Sequence, residues 1–166
     1  FWNLADGMAC TSPIGLAFGR LANFINGELW GRPTRVPWAV LFPTEAGVPA
    51  GSDPSPATLR ALIETGRIQP RHPSQLYEMF GEGVLLFAVL WILRRRPWSR
   101  VPGRLSAAFL ALYAVARIAA EYFREPDSTV FFGGVTKGQL FSFLMLPAAL
   151  AVWWRVHRTP NPEVEP

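Results

Sequence analysis

Four long apolar segments constrain this chain more than any other feature of its sequence. They cover residues 4–24, 76–93, 105–123 and 139–156. Each holds roughly 17–21 residues, close to the ~20 that a helix needs to cross the hydrocarbon core of a bilayer. Because backbone polar groups in lipid must pair within their own segment, helices are the expected form. The sequence therefore predicts an all-α integral membrane protein with about four transmembrane helices.

The composition agrees with a membrane protein. Half of the 166 residues are hydrophobic and 17% are charged, whereas in soluble domains about a quarter of all residues are charged. The single cysteine, Cys10, excludes an internal disulfide and a cysteine-rich metal site, and we expect it to be a buried small residue. The net charge of +4 comes from arginines beside apolar runs, which favours lipid head groups over nucleic acid. No motif predicts a metal or another cofactor.

The arginines also predict an orientation. They cluster between the second and third apolar segments and again after the fourth, and the positive-inside rule places both regions in the cytoplasm. The irregular, proline-rich segment 32–75, between the first and second helices, then faces outward, as does the loop 124–137. We expect one transmembrane domain, residues 1–158, followed by a disordered cytoplasmic tail, residues 159–166.

Two short elements are expected within the outward segment. Residues 36–42, of sequence VPWAVLF, predict a short strand or an interfacial segment with Trp38 at head-group depth. Residues 56–64 predict a short amphipathic helix that ends at Gly66.

A polar stretch, residues 19–34, follows the first apolar run and carries the strongest functional signal. It holds arginine, asparagine and glutamate side chains, which are costly to desolvate at the mouth of a membrane span. If the helix continues to about Glu28, residues at steps of three and four share one face, namely Arg20, Asn23, Gly27 and Gly31. A guanidinium on such a face binds phosphate in a bidentate way. A helix end with a snorkelling arginine is the alternative interpretation.

The third apolar segment carries a second polar stripe. Tyr113, Arg117 and Glu121 recur at steps of four and therefore share a helix face. We expect Arg117 and Glu121 to pair, since an unpaired charge at that depth is costly. Two interpretations stay open: a structural ion pair between helices, or, opposite Arg20, a pocket for an anionic substrate.

The second apolar segment opens with residues 71–78, of sequence RHPSQLYE. Pro73 near a helix start is favourable, and we expect His72 or Ser74 at the cap. For His72 a role as a general base is the less favoured interpretation. Glu78 and Glu82 lie one turn apart in the first part of this segment.

Together these motifs resemble the bacterial prolipoprotein diacylglyceryl transferase family. The resemblance covers residues 13–147 and rests on four ordered blocks, residues 19–34, 71–78, 113–127 and 136–147. It implies a multi-pass transferase of the bacterial cytoplasmic (inner) membrane with its active site toward the periplasm. The implied reaction transfers the diacylglyceryl group of phosphatidylglycerol to the lipobox cysteine thiol of preprolipoproteins, the first step of lipoprotein lipidation. The implied partners are phosphatidylglycerol, the preprolipoprotein signal peptide and membrane lipids, without nucleic acid or a cofactor.

The resemblance also implies site residues. The expected catalytic residues are Arg20, Arg117, Glu121 and Tyr113. The expected substrate-binding residues are Arg20, Asn23, Glu28, Gly31 and Arg117. In this interpretation the two arginines bind the phosphate, because developing negative charge needs fixed positive partners. Asn23 and Glu28 order the pocket, while Tyr113 and Glu121 orient Arg117.

Two departures from the family pattern lead to alternatives. Ala22 stands where the family usually has glycine, and its methyl group tightens a close contact. The chain starts at Phe1 and holds no upstream His-Gly-Gly segment, so we expect a fragment of a longer enzyme. The alternatives are a non-catalytic lipid-binding membrane fragment and a small transporter whose pathway is lined by Arg117 and Glu121.

Overall fold

The computed structural model describes residues 1–125 and 136–158, and it is mostly helical, as predicted. In chain order its helices and strands are α1 (Trp2–Asn26), β1 (Val40–Leu41), α2 (Pro56–Glu64), β2 (Pro70–Arg71), α3 (Ser74–Glu78), α4 (Leu86–Arg94), α5 (Arg104–Glu121) and α6 (Lys137–Arg158). A π-helical segment, Met79–Leu85, joins α3 to α4. These three pieces form one continuous helix, Ser74–Arg94, here called the central helix.

The long helices occupy the four apolar segments. Within the described residues, the central helix and Gly138–Arg158 are long and apolar enough to cross a membrane. Large apolar side chains stay exposed along the helices, among them Phe18, Phe80 and Phe141. An exposed apolar surface of this extent is typical of contact with lipid or with another protein. The expected tail, residues 159–166, lies outside the described residues.

Helix α1 ends two residues earlier than expected. Gly27 adopts a left-handed conformation with φ of 65°, and its N–H bonds to the carbonyls of Asn23 and Phe24. Glycine takes this conformation at little cost, which makes it a common helix terminator. Glu28 and Gly31 therefore lie beyond the helix, and the expected helical stripe through Gly31 is wrong.

Segment 32–75 contains both short elements that the sequence predicted. Strand β1 pairs antiparallel with β2, with Val40 opposite Arg71, so a short strand is present within residues 36–42, and the head-group depth of Trp38 stays a prediction. Helix α2 is capped by Ser55, whose hydroxyl accepts a hydrogen bond from the N–H of Thr58. The segment contacts the central helix through Trp38, whose indole N–H donates to the Tyr77 hydroxyl at 2.7 Å.

The start of the central helix differs from expectation. Pro73, not His72 or Ser74, is the N-cap residue. The Ser74 hydroxyl instead donates to the Leu29 carbonyl at 3.2 Å. The His72 ring packs against Tyr77 and Phe123. The backbone carbonyl of His72 accepts a hydrogen bond from the Gly31 N–H at 3.0 Å. The start of this helix is thus tied to the polar stretch that follows α1.

The core lies where α1, the central helix and α5 meet. Cys10, Leu86, Leu90 and Leu105 form a buried cluster, so the buried position expected of Cys10 is confirmed. At the arginine-rich end, the Asp6 carboxylate caps α5 by accepting from the N–H groups of Gly103 at 2.7 Å and Ser106 at 2.8 Å. At the same end arginines stack on tryptophans, in the pairs Arg94–Trp91, Arg104–Trp98 and Arg158–Trp154.

Gly83 allows α1 to approach the central helix, and its substitution tests this packing. A Cβ atom at Gly83 would lie 2.6 Å from the Ala17 Cβ, so we expect Gly83→Ala to destabilise the fold by about 1–3 kcal/mol. Gly81→Ala is the matched control, because its Cβ would lie 3.9 Å from Ala116, an ordinary contact. Thermal unfolding of the purified protein in detergent measures both. Equal midpoints for the two variants would contradict the close approach.

Candidate functional site

Two buried glutamates of the central helix form the middle of the candidate site. Glu78 ends α3 and Glu82 lies in the π-helical segment, and their side chains are 2% and 0% exposed. A π turn forms i→i+5 hydrogen bonds and is frequent at functional sites. The spacing of Glu78 and Glu82 is visible in the sequence, but no role was predicted for them. Two carboxylates in an apolar segment were the signal that should have marked them.

Two arginines from different helices bind this pair of carboxylates. Arg20 of α1 lies 2.7 Å from Glu78 (Nε to Oε2) and 3.3 Å from Glu82 (Nη2 to Oε2). Arg117 of α5 places Nη1 3.0 Å from Glu78 Oε1 and 3.4 Å from Glu82 Oε1. The two guanidinium groups therefore share one environment. We call these four side chains the ion cluster.

The ion cluster extends toward the ends of α5 and α6. Arg117 Nη2 lies 3.5 Å from Glu121 Oε2, so the two expected partners are brought together, although the contacts of Arg117 with Glu78 are shorter. The Thr136 hydroxyl donates to Glu121 at 2.6 Å. On the other side, Arg124 Nη1 lies 3.5 Å from Glu78 Oε1. The pair Arg117–Glu121 lies within α5, whereas Arg117 joins α5 to the central helix through Glu78 and Glu82, the carboxylates that Arg20 also contacts. A structural ion pair between helices is thus present, and the pocket for an anionic substrate stays a prediction.

Tyr113 lies one helical turn from Arg117 on α5. Its ring stacks on Phe109 with centroids 5.8 Å apart and packs on the buried core. It also lies within electrostatic range of Glu82, Arg117 and Arg20. Tyr113 is therefore adjacent to the ion cluster.

Three residues of the polar stretch lie beside the ion cluster rather than in it. Asn23 is half-buried, and its carbonyl accepts the N–H of Glu28 at 3.0 Å. The exposed Glu28 side chain accepts from Asn26, while its carbonyl accepts from Gln75 at 2.7 Å. A Cβ at Gly31 would lie 2.5 Å from the carbonyl oxygens of His72 and Phe123. Only glycine allows three segments to cross there.

Arg71, for which the sequence predicted no role, holds segment 32–75 together near the point where Gly31 meets His72 and Phe123. It is 6% exposed, and its guanidinium binds Glu45 at 2.6 Å, Glu125, and the Gly31 carbonyl at 3.0 Å. Burial raises the pKa of the Glu45 carboxyl, but hydrogen bonds from Arg71 and from the Gln69 N–H outweigh it and hold that pKa below its ordinary value. The hydrogen bond to Glu45 raises the pKa of Arg71.

An apolar groove of about 370 Å³ runs between the central helix and α5. It extends from Tyr77 and Phe123 at one end to Val89 and Leu112. These are the two helices that also carry Glu78, Glu82 and Arg117. The arrangement combines half-buried guanidinium groups, which bind phosphate or carboxylate, with an apolar surface that suits hydrocarbon.

Apolar helices with exposed apolar faces and a buried ionic site define a helical membrane protein. The sequence model of the prolipoprotein diacylglyceryl transferases matches residues 1–155. The chain therefore belongs to the prolipoprotein diacylglyceryl transferase family, which is a family of membrane enzymes, and the resemblance seen in the sequence is confirmed.

Curated relatives agree with this assignment. The chain is 42% identical over 165 residues to the phosphatidylglycerol–prolipoprotein diacylglyceryl transferase of Desulfotalea psychrophila, covering 95% of this chain and 53% of the relative. It is 45% identical over 157 residues to that of Legionella pneumophila (strain Corby), covering 93% and 52%. For Sodalis glossinidius the identity is 44% over 165 residues, covering 97% and 56%. The chain thus spans about half the length of the curated relatives it matches.

The lowered pKa of Glu45 predicts that the folded structure of segment 32–75 is less stable in acid. A depressed carboxyl pKa stabilises the fold above the ordinary glutamate pKa of about 4.3. This stabilisation is lost as the pH falls from there through the lower pKa of the folded state. We expect proteolysis within residues 40–71 to accelerate over this window, and Glu45→Gln to be cleaved readily at neutral pH. Glu64→Gln on the exposed end of α2 is the control and should behave like the wild type.

Proposed function

We propose that this chain forms the phosphatidylglycerol-binding part of an enzyme that transfers a diacylglyceryl group to the lipobox cysteine of preprolipoproteins. The supporting observation is that Arg20 and Arg117, on separate helices, reach the same two carboxylates. Guanidinium groups that share a pair of anionic partners are close enough to share one phosphate. Family membership supports the reaction class.

The reaction develops negative charge on the leaving phosphate, and two arginines can stabilise that charge. A thiolate sulfur attacks the terminal glyceryl carbon, a sulfur–carbon bond forms, and the carbon–oxygen bond to phosphate breaks. The electron pair of that carbon–oxygen bond goes to the phosphate oxygen. Glycerol 1-phosphate leaves with one more negative charge than the phosphodiester carried. Fixed guanidinium groups stabilise that charge as it develops, and they do so most strongly in a site of low dielectric. The groove between the central helix and α5 suits the acyl chains.

The remaining residues have supporting roles in this proposal. Glu121 and Tyr113 flank Arg117 on α5 and orient its guanidinium. Asn23 and Glu28 hold the turn after α1 through backbone contacts. Gly31 lets that turn meet His72 and Phe123 without a steric clash.

We further propose that all four long helices span the inner membrane and that residues 32–75 face the periplasm. The ion cluster lies toward the end of the helices that this segment contacts, through Trp38 and Tyr77. The arginine and tryptophan pairs lie at the opposite end, where the positive-inside rule predicts cytoplasm. The phosphate site would then face the outer leaflet.

Binding without transfer is the second candidate function of this chain alone. It is favoured by the share of the relatives that the chain spans, about half. Transfer of labelled diacylglycerol from phosphatidylglycerol to a lipobox peptide separates the two, when this chain is compared with an N-terminally extended one. Transfer by the extended protein only, with lipid binding by both, would assign binding to this part and chemistry to the whole.

Substitution of either arginine tests the phosphate site. We expect Arg20→Ala or Arg117→Ala, in the extended protein, to lower transfer by about 100-fold or more, since each removes a fixed donor to the developing charge. Arg20→Lys should also fail largely, because an ammonium group cannot reproduce the bidentate guanidinium. The measurement is the initial rate of transfer to the lipobox peptide.

Arg60→Ala, on the exposed face of α2, is the matched control and should transfer at the wild-type rate. Insertion of each variant into membranes is measured alongside, because loss of one partner of a buried ion pair also destabilises a fold. Transfer at the wild-type rate by Arg20→Ala or Arg117→Ala would refute the assignment of that arginine to the phosphate.

A further inference from the structure

The guanidinium groups of the proposed phosphate site are already occupied by carboxylates. Arg20 binds Glu78 and Glu82 through Nε and Nη2, and Arg117 binds the same pair through Nη1. A phosphate that binds these same N–H groups of the two arginines displaces carboxylate oxygens. The displaced carboxylate oxygens stay buried away from water, because the side chains of Glu78 and Glu82 are 2% and 0% exposed.

Ion pairs within the described residues link three guanidinium groups to three carboxylates in one connected set, Arg20, Arg117, Arg124, Glu78, Glu82 and Glu121. A phosphodiester adds one negative charge to it. A buried charge without a partner is costly, and such a group takes up or releases a proton instead. The arriving anion thus favours protonation of one displaced carboxylate.

Geometry selects Glu82 as that carboxylate. Its contacts with the arginines are 3.3 and 3.4 Å, whereas those of Glu78 are 2.7 and 3.0 Å, and Glu78 also meets Arg124. The charged and titratable groups that face Glu82 are Arg20 from α1, Arg117 and Tyr113 from α5, and Glu78 from its own helix. Glu82 thus has the weaker ties to the arginines and full burial.

We propose that Glu82 takes up one proton when the phosphodiester of phosphatidylglycerol binds between Arg20 and Arg117. This inference rests on the proposed function, which places the phosphate there. The protonated carboxyl is a hydrogen-bond donor where the carboxylate was only an acceptor, so it can bind the phosphate that displaced it. Glu82 is accordingly a positioning residue whose protonation state is set by the ligand.

Calorimetry with short-chain phosphatidylglycerol tests proton uptake directly. The protein is titrated in detergent, between pH 6 and 8, in buffers of different ionisation enthalpy, and the slope of the binding enthalpy gives the protons taken up. We expect about one proton per lipid, and a Kd that rises by up to tenfold per pH unit, as one linked proton requires. Diacylglycerol without phosphate is the ligand control and should cause no proton uptake.

Glu82→Gln should bind phosphatidylglycerol with a Kd that no longer depends on pH and without proton uptake, since its amide already donates. Glu64→Gln, on the exposed end of α2, is the matched control and should keep the wild-type proton uptake. Lipid binding by the wild type without proton uptake would overturn this inference and leave the proposed function standing. Absence of lipid binding at every pH would overturn the proposed function itself. The wild-type titration decides the question even if Glu82→Gln fails to fold.

Discussion

The structure depends on the attraction between two buried carboxylates and guanidinium groups from the helices on either side. Glu78 and Glu82 lie on the central helix, Arg20 on α1 and Arg117 on α5. Each charge is costly to remove from water, and removing one partner would leave the others uncompensated, at a cost of about 3–5 kcal/mol. The ion cluster therefore does more than stabilise the bundle, because it fixes how three helices face one another. The phosphate site that we propose for Arg20 and Arg117 would use that geometry.

Local backbone features allow the charges to meet. The π-helical segment Met79–Leu85 contains Glu82 and follows Glu78 directly. Gly83, in the same segment, lets α1 approach closely enough for Arg20 to reach across. Beyond the helix ends, Gly31 and Arg71 connect the turn after α1 to segment 32–75 and to the end of α5. Because Arg124, after α5, contacts both Gly31 and Glu78, this segment is held at the end of the helices that carries the ion cluster.

The sequence predicted more of the helices than of the site. Apolar segments of membrane-spanning length located all four long helices, and the amphipathic pattern of residues 56–64 with Gly66 after it located α2. Polar residues within those segments identified Arg20 and Arg117 as neighbours. The partners of the arginines were missed because a 3.6-residue period does not show which helix faces which, and a π turn has no clear sequence signal. Gly31 was misplaced because the helix was extended past Gly27, whose left-handed conformation ends it.

Helix α6 meets the ion cluster through Glu121. This residue contacts Arg117 and also accepts a hydrogen bond from Thr136, directly before α6. A Cβ at Gly138 would lie 2.9 Å from the Glu121 carboxylate, so the first turn of α6 packs against it. The pairing of Arg117 and the packing of α6 therefore involve the same carboxylate.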